Sequence, residues 1–241
     1  MAVGEGPDPL ADRLAELRSR LPATAHLLAV SKGQPADAIR RAVAAGQRSF
    51  AESRLQEAIG KQLELADLGP LDWHFIGRLQ ANKARGVLRH FGTIHSVDSL
   101  ALAERLQRIA AEEALTPGIL LQVKLRPDPA KTGFEPNPLR EAWPRLQQLA
   151  PLRLLGLMTI APLGLDQAQR CALFADCAAL AAELGLPELS MGMSGDWPEA
   201  VAAGSTWVRV GSGLFGPRAA LQQAAADSPC AQGPELLPPL A

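Results

Sequence analysis

The sequence contains no tyrosine, and aromatic residues make up only 4% of it. Whatever acid–base chemistry the chain carries, a phenol takes no part in it. Cysteine is sparse: three in 241 residues, with Cys171 and Cys177 six apart on an expected helix and Cys230 near the end. No CxxC or Cys/His metal spacing occurs, which excludes a disulfide framework or a zinc motif and fits a reduced, cytoplasmic protein. There is no excess of either charge, with 24 Lys+Arg against 25 Asp+Glu. A nucleic-acid binder would show a basic surplus. No apolar run approaches the roughly 20 residues of a membrane helix. No apolar segment follows Met1, so a secretory signal is not expected.

What is present is a regular alternation. Short apolar or β-branched runs at 26–32, 49–53, 72–77, 93–97, 119–125, 154–160, 189–193 and 207–210 alternate with helical patterns. The helices are expected at 35–45, 55–68, 80–90, 99–115, 138–150, 166–185 and 195–203, with Trp143-Pro144 a potential kink in one of them. An extra N-terminal helix over 10–21, with Asp8 as its cap, precedes the first strand. Eight strand–helix units in series predict an α/β fold, a (β/α)8 TIM barrel, occupying 1–218 as one domain. A doubly wound sheet is the runner-up, but the turn after the first strand reads Ser31-Lys32-Gly33-Gln34 rather than GxGxxG. Residues 211–216 (GSGLFG) read as an open glycine loop, and 219–241 as a short helix followed by a disordered tail.

A barrel places its functional groups at the C-terminal ends of the strands. The first strand closes on Lys32, one of only five lysines beside nineteen arginines. Buried at the mouth, its amine would lose its proton more readily and act as a nucleophile toward aldehydes. A lysine snorkelling to the rim is an equal alternative. After strands seven and eight come Gly192-Met193-Ser194 and Gly211-Ser212-Gly213. Such loops form the recurring barrel phosphate site, although each alone also reads as a turn glycine or a helix cap. Arg209 shares a strand face with Trp207 and Gly211, while Val208 and Val210 suit the face under the helices. Arg209 therefore points inward, toward an acceptor in the mouth or a barrel carboxylate. His74 reads as a hydrogen-bonded core histidine and Met158 as barrel packing. Lys131, Gln80, Asn82 and Lys83 read as solvated loop or cap residues.

Several longer segments occur together and in order: AVSK (29–32), WHFIGRLQANK (73–83), KTGF (131–134), GLMTI (156–160), LSMGMSGD (189–196) and AAGSTWVRVGSGLFG (202–216). From about residue 8 to 218 the chain resembles the pyridoxal phosphate homeostasis proteins. The resemblance implies a fold-type III barrel similar to the N-terminal domain of alanine racemase. It implies pyridoxal 5′-phosphate held as a Schiff base on Lys32, its phosphate on Ser194, Gly211 and Ser212, and Arg209 facing the pyridine nitrogen. An arginine there cannot accept a proton, which weakens the ring as an electron sink. His74 and Met158 lie in the shared motifs and count as candidate cofactor contacts.

The chain departs from the pattern in three places. Ser53 stands in AESRLQE (51–57) where an asparagine is usual near the cofactor's 3′ oxygen, Ser212 replaces a frequent threonine, and Gly195 a frequent aspartate. The implied role is a monomeric cytoplasmic carrier that buffers the cofactor or delivers it to PLP-dependent apoenzymes, with no metal, nucleic acid or membrane partner. A fold-type III amino-acid racemase is the alternative. In alanine racemase the second base is a tyrosine from a C-terminal domain, which this chain can supply neither from itself nor from a second copy. A Schiff-base aldolase acting on a phosphorylated sugar is a third reading, permitted by the fold but not favoured by the motifs.

Overall fold

Helix α1 (Pro9–Arg20) precedes a strand–helix series: β1 (His26–Val30), α2 (Ala36–Ala44), β2 (Ser49–Glu52), α3 (Leu55–Glu64), β3 (Asp72–Phe75), α4 (Ala84–His90), β4 (Thr93–Val97) and α5 (Leu100–Glu112). The series continues with β5 (Gly118–Gln122), α6 (Pro136–Leu146), β6 (Arg153–Met158), α7 (Gln167–Glu183), β7 (Glu188–Met193), α8 (Trp197–Ala202), β8 (Trp207–Val210) and α9 (Ser212–Phe215). The structure is a computed structural model and describes residues 8–216. All eight strands are parallel and close in chain order, with β1 paired to both β2 and β8. The expected tail at 219–241, and Cys230 with it, lies outside the described residues.

Alternation decides what each strand faces. Leu27, Ala29, Phe50, Val208 and Val210 point outward and pack with Ile39, Ala42 and Val43 of α2 and with Leu10 and Leu14 of α1. Leu28, Val30 and Ala51 point inward, joined by Ile76 and Trp207. The floor has room for Trp207, whose ring lies 4.9 Å from that of His26 and 4.8 Å from that of His74. Helix starts are specified locally. Asp8 accepts from Leu10 N at 3.0 Å to cap α1. Asp166 and Gln169 form a reciprocal capping box at α7, at 2.8 and 3.0 Å. Strands β6 and β7 approach so closely that a Cβ on Gly156 would sit 1.8 Å from the Glu188 carbonyl oxygen.

The structure corrects several boundaries. Strand β1 stops at Val30 and β5 at Gln122, so apolar character runs past the ladder at both. The helix expected at 55–68 ends at Glu64, and a separate 3-10 turn (Ala66–Leu68) follows. Pro144 falls in the last turn of α6 and does not divide the helix. The expected open loop at 211–216 instead winds into α9.

Candidate functional site

The barrel mouth gathers the candidates. Lys32 follows β1 in the turn that the Gln34 N–H closes on the Ser31 carbonyl at 2.9 Å, and it is half-buried. Across β8, Ser194 and Ser212 are exposed at the rim. The Ser212 hydroxyl lies 3.3 Å from Ser194 Oγ, which also accepts from Gly213 N at 3.3 Å. Glycine keeps this corner shallow: a Cβ on Gly211 would come 3.3 Å from the Val30 carbonyl oxygen, and one on Gly213 would come 3.0 Å from Val210 Cγ1. The end of β7 needs Gly192 for its φ of +88° and because a Cβ there would meet Trp197 Cα at 2.8 Å. Ser194 Oγ thus gathers the Ser212 hydroxyl and the Gly213 N–H at the rim, and its own O–H is left to donate outward.

Arg209 lies beneath this corner, 4% exposed. Its Nη1 donates to the Ser190 carbonyl at 2.5 Å and the Ser190 hydroxyl at 2.7 Å, and its Nη2 donates to the Thr159 carbonyl at 2.8 Å. A guanidinium has five N–H donors, so these three bonds leave two. Burial pushes the guanidinium down to about 10, while the Asp196 carboxylate pulls the other way. Met158 is buried and pairs in register with Ser190. Ser53 is half-buried just past β2, where Gly77 packs so tightly that a Cβ would sit 2.2 Å from the Ser53 carbonyl oxygen.

His74 is placed lower than the other candidates. It is 2% exposed, and its ring nitrogens lie 2.6 Å from Asp72 Oδ2 and 2.8 Å from His95 Nε2. It therefore reaches Arg209 only through His95 and Ser190. Lys131 bonds the Ala161 carbonyl and Asp128, both at 3.1 Å.

Sequence reasoning missed a buried ionic cluster directly behind Lys32. Glu52 is fully buried and Lys61 is 6% exposed. Lys61 Nζ donates to the Ser31 carbonyl at 2.7 Å, Glu52 Oε1 at 2.7 Å and Glu57 Oε1 at 2.6 Å. Ser31 Oγ donates to Glu52 at 2.7 Å, and Gly33 N to Glu57 at 2.5 Å. Both neighbours of Lys32 are thus pinned. Burial pushes the Glu52 carboxyl up, an effect that Lys61 offsets only in part. For Glu57 burial acts in the same sense, but Lys61 and the Gly33 N–H outweigh it and hold the carboxyl low. The available signal was a glutamate at an outward strand position, which must be covered and paired.

Residues 7–219 match the family described as alanine racemase, N-terminal domain. A relative from Synechocystis sp., named pyridoxal phosphate homeostasis protein, is 49% identical over 210 residues, covering 85% of this chain and 96% of its own. One of the same name from Escherichia coli K12 is 37% identical over 226 residues, covering 87% and 97%. The chain belongs to the pyridoxal phosphate homeostasis protein family. Among solved structures, PipY of Synechococcus elongatus with PLP bound is 57% identical with a TM-score of 0.83, covering 86% of this chain and all of that one. Alanine racemase of Clostridium difficile, at 17% identity, shares the fold with a TM-score of 0.68 over 85% of this chain and 56% of its own.

Among the described residues no helix is long and apolar enough to cross a membrane.

Proposed function

We propose that this homeostasis-family chain binds pyridoxal 5′-phosphate covalently through Lys32 and buffers or delivers it without strong catalysis. The observation that carries the reading is that three chemistries share one end of the barrel: an amine after β1, a serine corner after β7 and β8, and an inward guanidinium on β8. The solved PLP-bound relative supports the choice of group. When bound, the cofactor contributes an electrophilic aldehyde.

The residues present fit that group. Ser194 would offer its O–H to a phosphate, and Ser212 O–H and Gly213 N–H would join it by turning from Ser194 Oγ to the anion. Arg209 retains two N–H donors for the pyridine nitrogen and cannot take its proton. Ser53 would stand in for the asparagine expected at the 3′ oxygen, with a shorter reach. Met158 would pack against the cofactor, and His74 would act at two removes, through His95 and Ser190. Delivery to apoenzymes would need water, or the apoenzyme's own amine, to displace Lys32 from the C=N bond.

A racemase is disfavoured by what the mouth lacks. The sequence has no tyrosine to serve as a second base. Cys171 and Cys177 sit on α7 outside the barrel, and burial pushes the Cys177 thiol up to about 12. The test combines binding and turnover. Ser194→Ala is expected to weaken pyridoxal phosphate binding about tenfold in a spectroscopic titration, the loss of one charge-assisted hydrogen bond. The loaded wild type should reactivate a pyridoxal-phosphate-requiring apoenzyme and leave L-alanine unracemised. Rapid racemisation would instead establish the enzyme reading.

A further inference from the structure

A hydrogen-bonded chain crosses the inside of the barrel beneath Arg209. It begins at Asp72, the first residue of β3, whose side chain is 48% exposed at the end opposite the mouth. Asp72 Oδ2 lies 2.6 Å from His74 Nε2. His74 Nδ1 lies 2.8 Å from His95 Nε2, and His95 Nδ1 lies 2.8 Å from Ser190 Oγ. Arg209 Nη1 closes the chain at 2.7 Å from the same hydroxyl. The four upper members are all buried, with His95 and Ser190 fully so. Five residues from β3, β4, β7 and β8 thus join the floor to the guanidinium.

With the Asp72 carboxylate as terminal acceptor and both rings neutral, each link takes one direction. A guanidinium only donates, so Ser190 Oγ accepts from Arg209. The single hydroxyl hydrogen of Ser190 is then left for His95 Nδ1. His95 must carry its proton on Nε2 and donate it to His74 Nδ1. His74 in turn carries its proton on Nε2 and donates it to the Asp72 carboxylate. In this arrangement each donor has an acceptor. Burial, with His74 and Arg209 nearby, holds His95 well below its usual value, in keeping with a neutral ring.

Filling a barrel floor does not require this. Apolar side chains would fill the same space without desolvating two imidazoles and a hydroxyl. A satisfied polar network is instead a device for fixing one geometry. We propose that Ser190, His95, His74 and Asp72 are positioning residues that orient and polarise Arg209 toward the cofactor ring. The assignment of a ring to Arg209 rests on the function proposed above; the chain itself does not.

Two experiments separate those claims. In the cofactor-free protein, long-range 1H–15N correlation of the histidine side chains should find His74 and His95 both as Nε2–H tautomers. In Ser190→Ala, His95 loses the donor at Nδ1 and its tautomer should shift. With pyridoxal phosphate added, Ser190→Ala should bind about tenfold more weakly and with a displaced absorption band. Asp72→Ala should displace the band less but in the same sense, while Asp72→Asn, which keeps an acceptor, should restore the wild-type spectrum.

An Nδ1–H tautomer at His95 in the wild type would overturn the chain. Correct tautomers with an unchanged band and affinity in Ser190→Ala would overturn the positioning role and leave a structural network. Failure of the wild type to take up pyridoxal phosphate would overturn the proposed function, and the tautomers of the free protein would still decide the chain.

Discussion

Lys61→Ala is expected to destabilise the fold by about 3–5 kcal/mol, the usual cost of removing one partner from a buried ion pair. Lys61 is the single cation contacting Glu52 and Glu57 among the described interactions, and it also holds the Ser31 carbonyl. Its loss strands Glu52, which is fully buried and whose Oε2 already has no partner among the described residues. Part of the cost can be relieved if Glu52 takes up a proton, as burial already favours. Lys61→Met keeps the apolar stem and should fall only slightly less. Pairing it with Glu52→Gln removes the stranded charge and should recover about half of the loss. Urea denaturation of the three variants measures this. A loss under about 1 kcal/mol for Lys61→Ala would mean that the cluster is solvated and pins nothing. Because Ser31 and Gly33 flank Lys32, both single variants should also bind pyridoxal phosphate more weakly.

Lys32→Ala should abolish covalent attachment completely while changing unfolding stability by less than about 1 kcal/mol, since Lys32 is only half-buried. Bond formation converts the lysine amine and the aldehyde to a C=N bond with loss of water, and no other group at this position can replace the amine. The phosphate cradle remains, so the variant should keep weak, reversible binding. Absorbance and denaturation of the same preparation separate the two effects. Global unfolding would make Lys32 structural. A retained covalent band would place the bond on another lysine.

The strand series, and which residues stand at its strand ends, were legible because both follow from strict rules. Alternation fixed Arg209 as inward and Val208 and Val210 as outward, and barrel geometry picked out Lys32, Ser194 and Ser212 at strand ends. Boundaries were less legible where apolar residues outrun the ladder. Val123 looks like strand, yet it pairs outside β5 in a bridge with Phe134. The short α9 was hidden because Gly213 sits inside it and glycine is a poor helix former.

Two networks could not be read from sequence at all. Glu52 and Lys61 are nine residues apart on a strand and a helix, and their pairing depends on how α3 packs on β2. His95 and Ser190 meet across the barrel from 95 residues apart. His74 illustrates the same limit: a buried, hydrogen-bonded histidine was foreseeable, but its partners were not.

Covalent attachment at Lys32 is tested most directly by incubating the purified wild-type protein with pyridoxal phosphate, reducing it with borohydride and mapping its peptides by mass. A phosphopyridoxyl group on the peptide carrying Lys32, and on no other lysine in stoichiometric amount, is the predicted result. An adduct confined to Lys61, Lys83, Lys124 or Lys131, or no adduct at saturating cofactor, would contradict it.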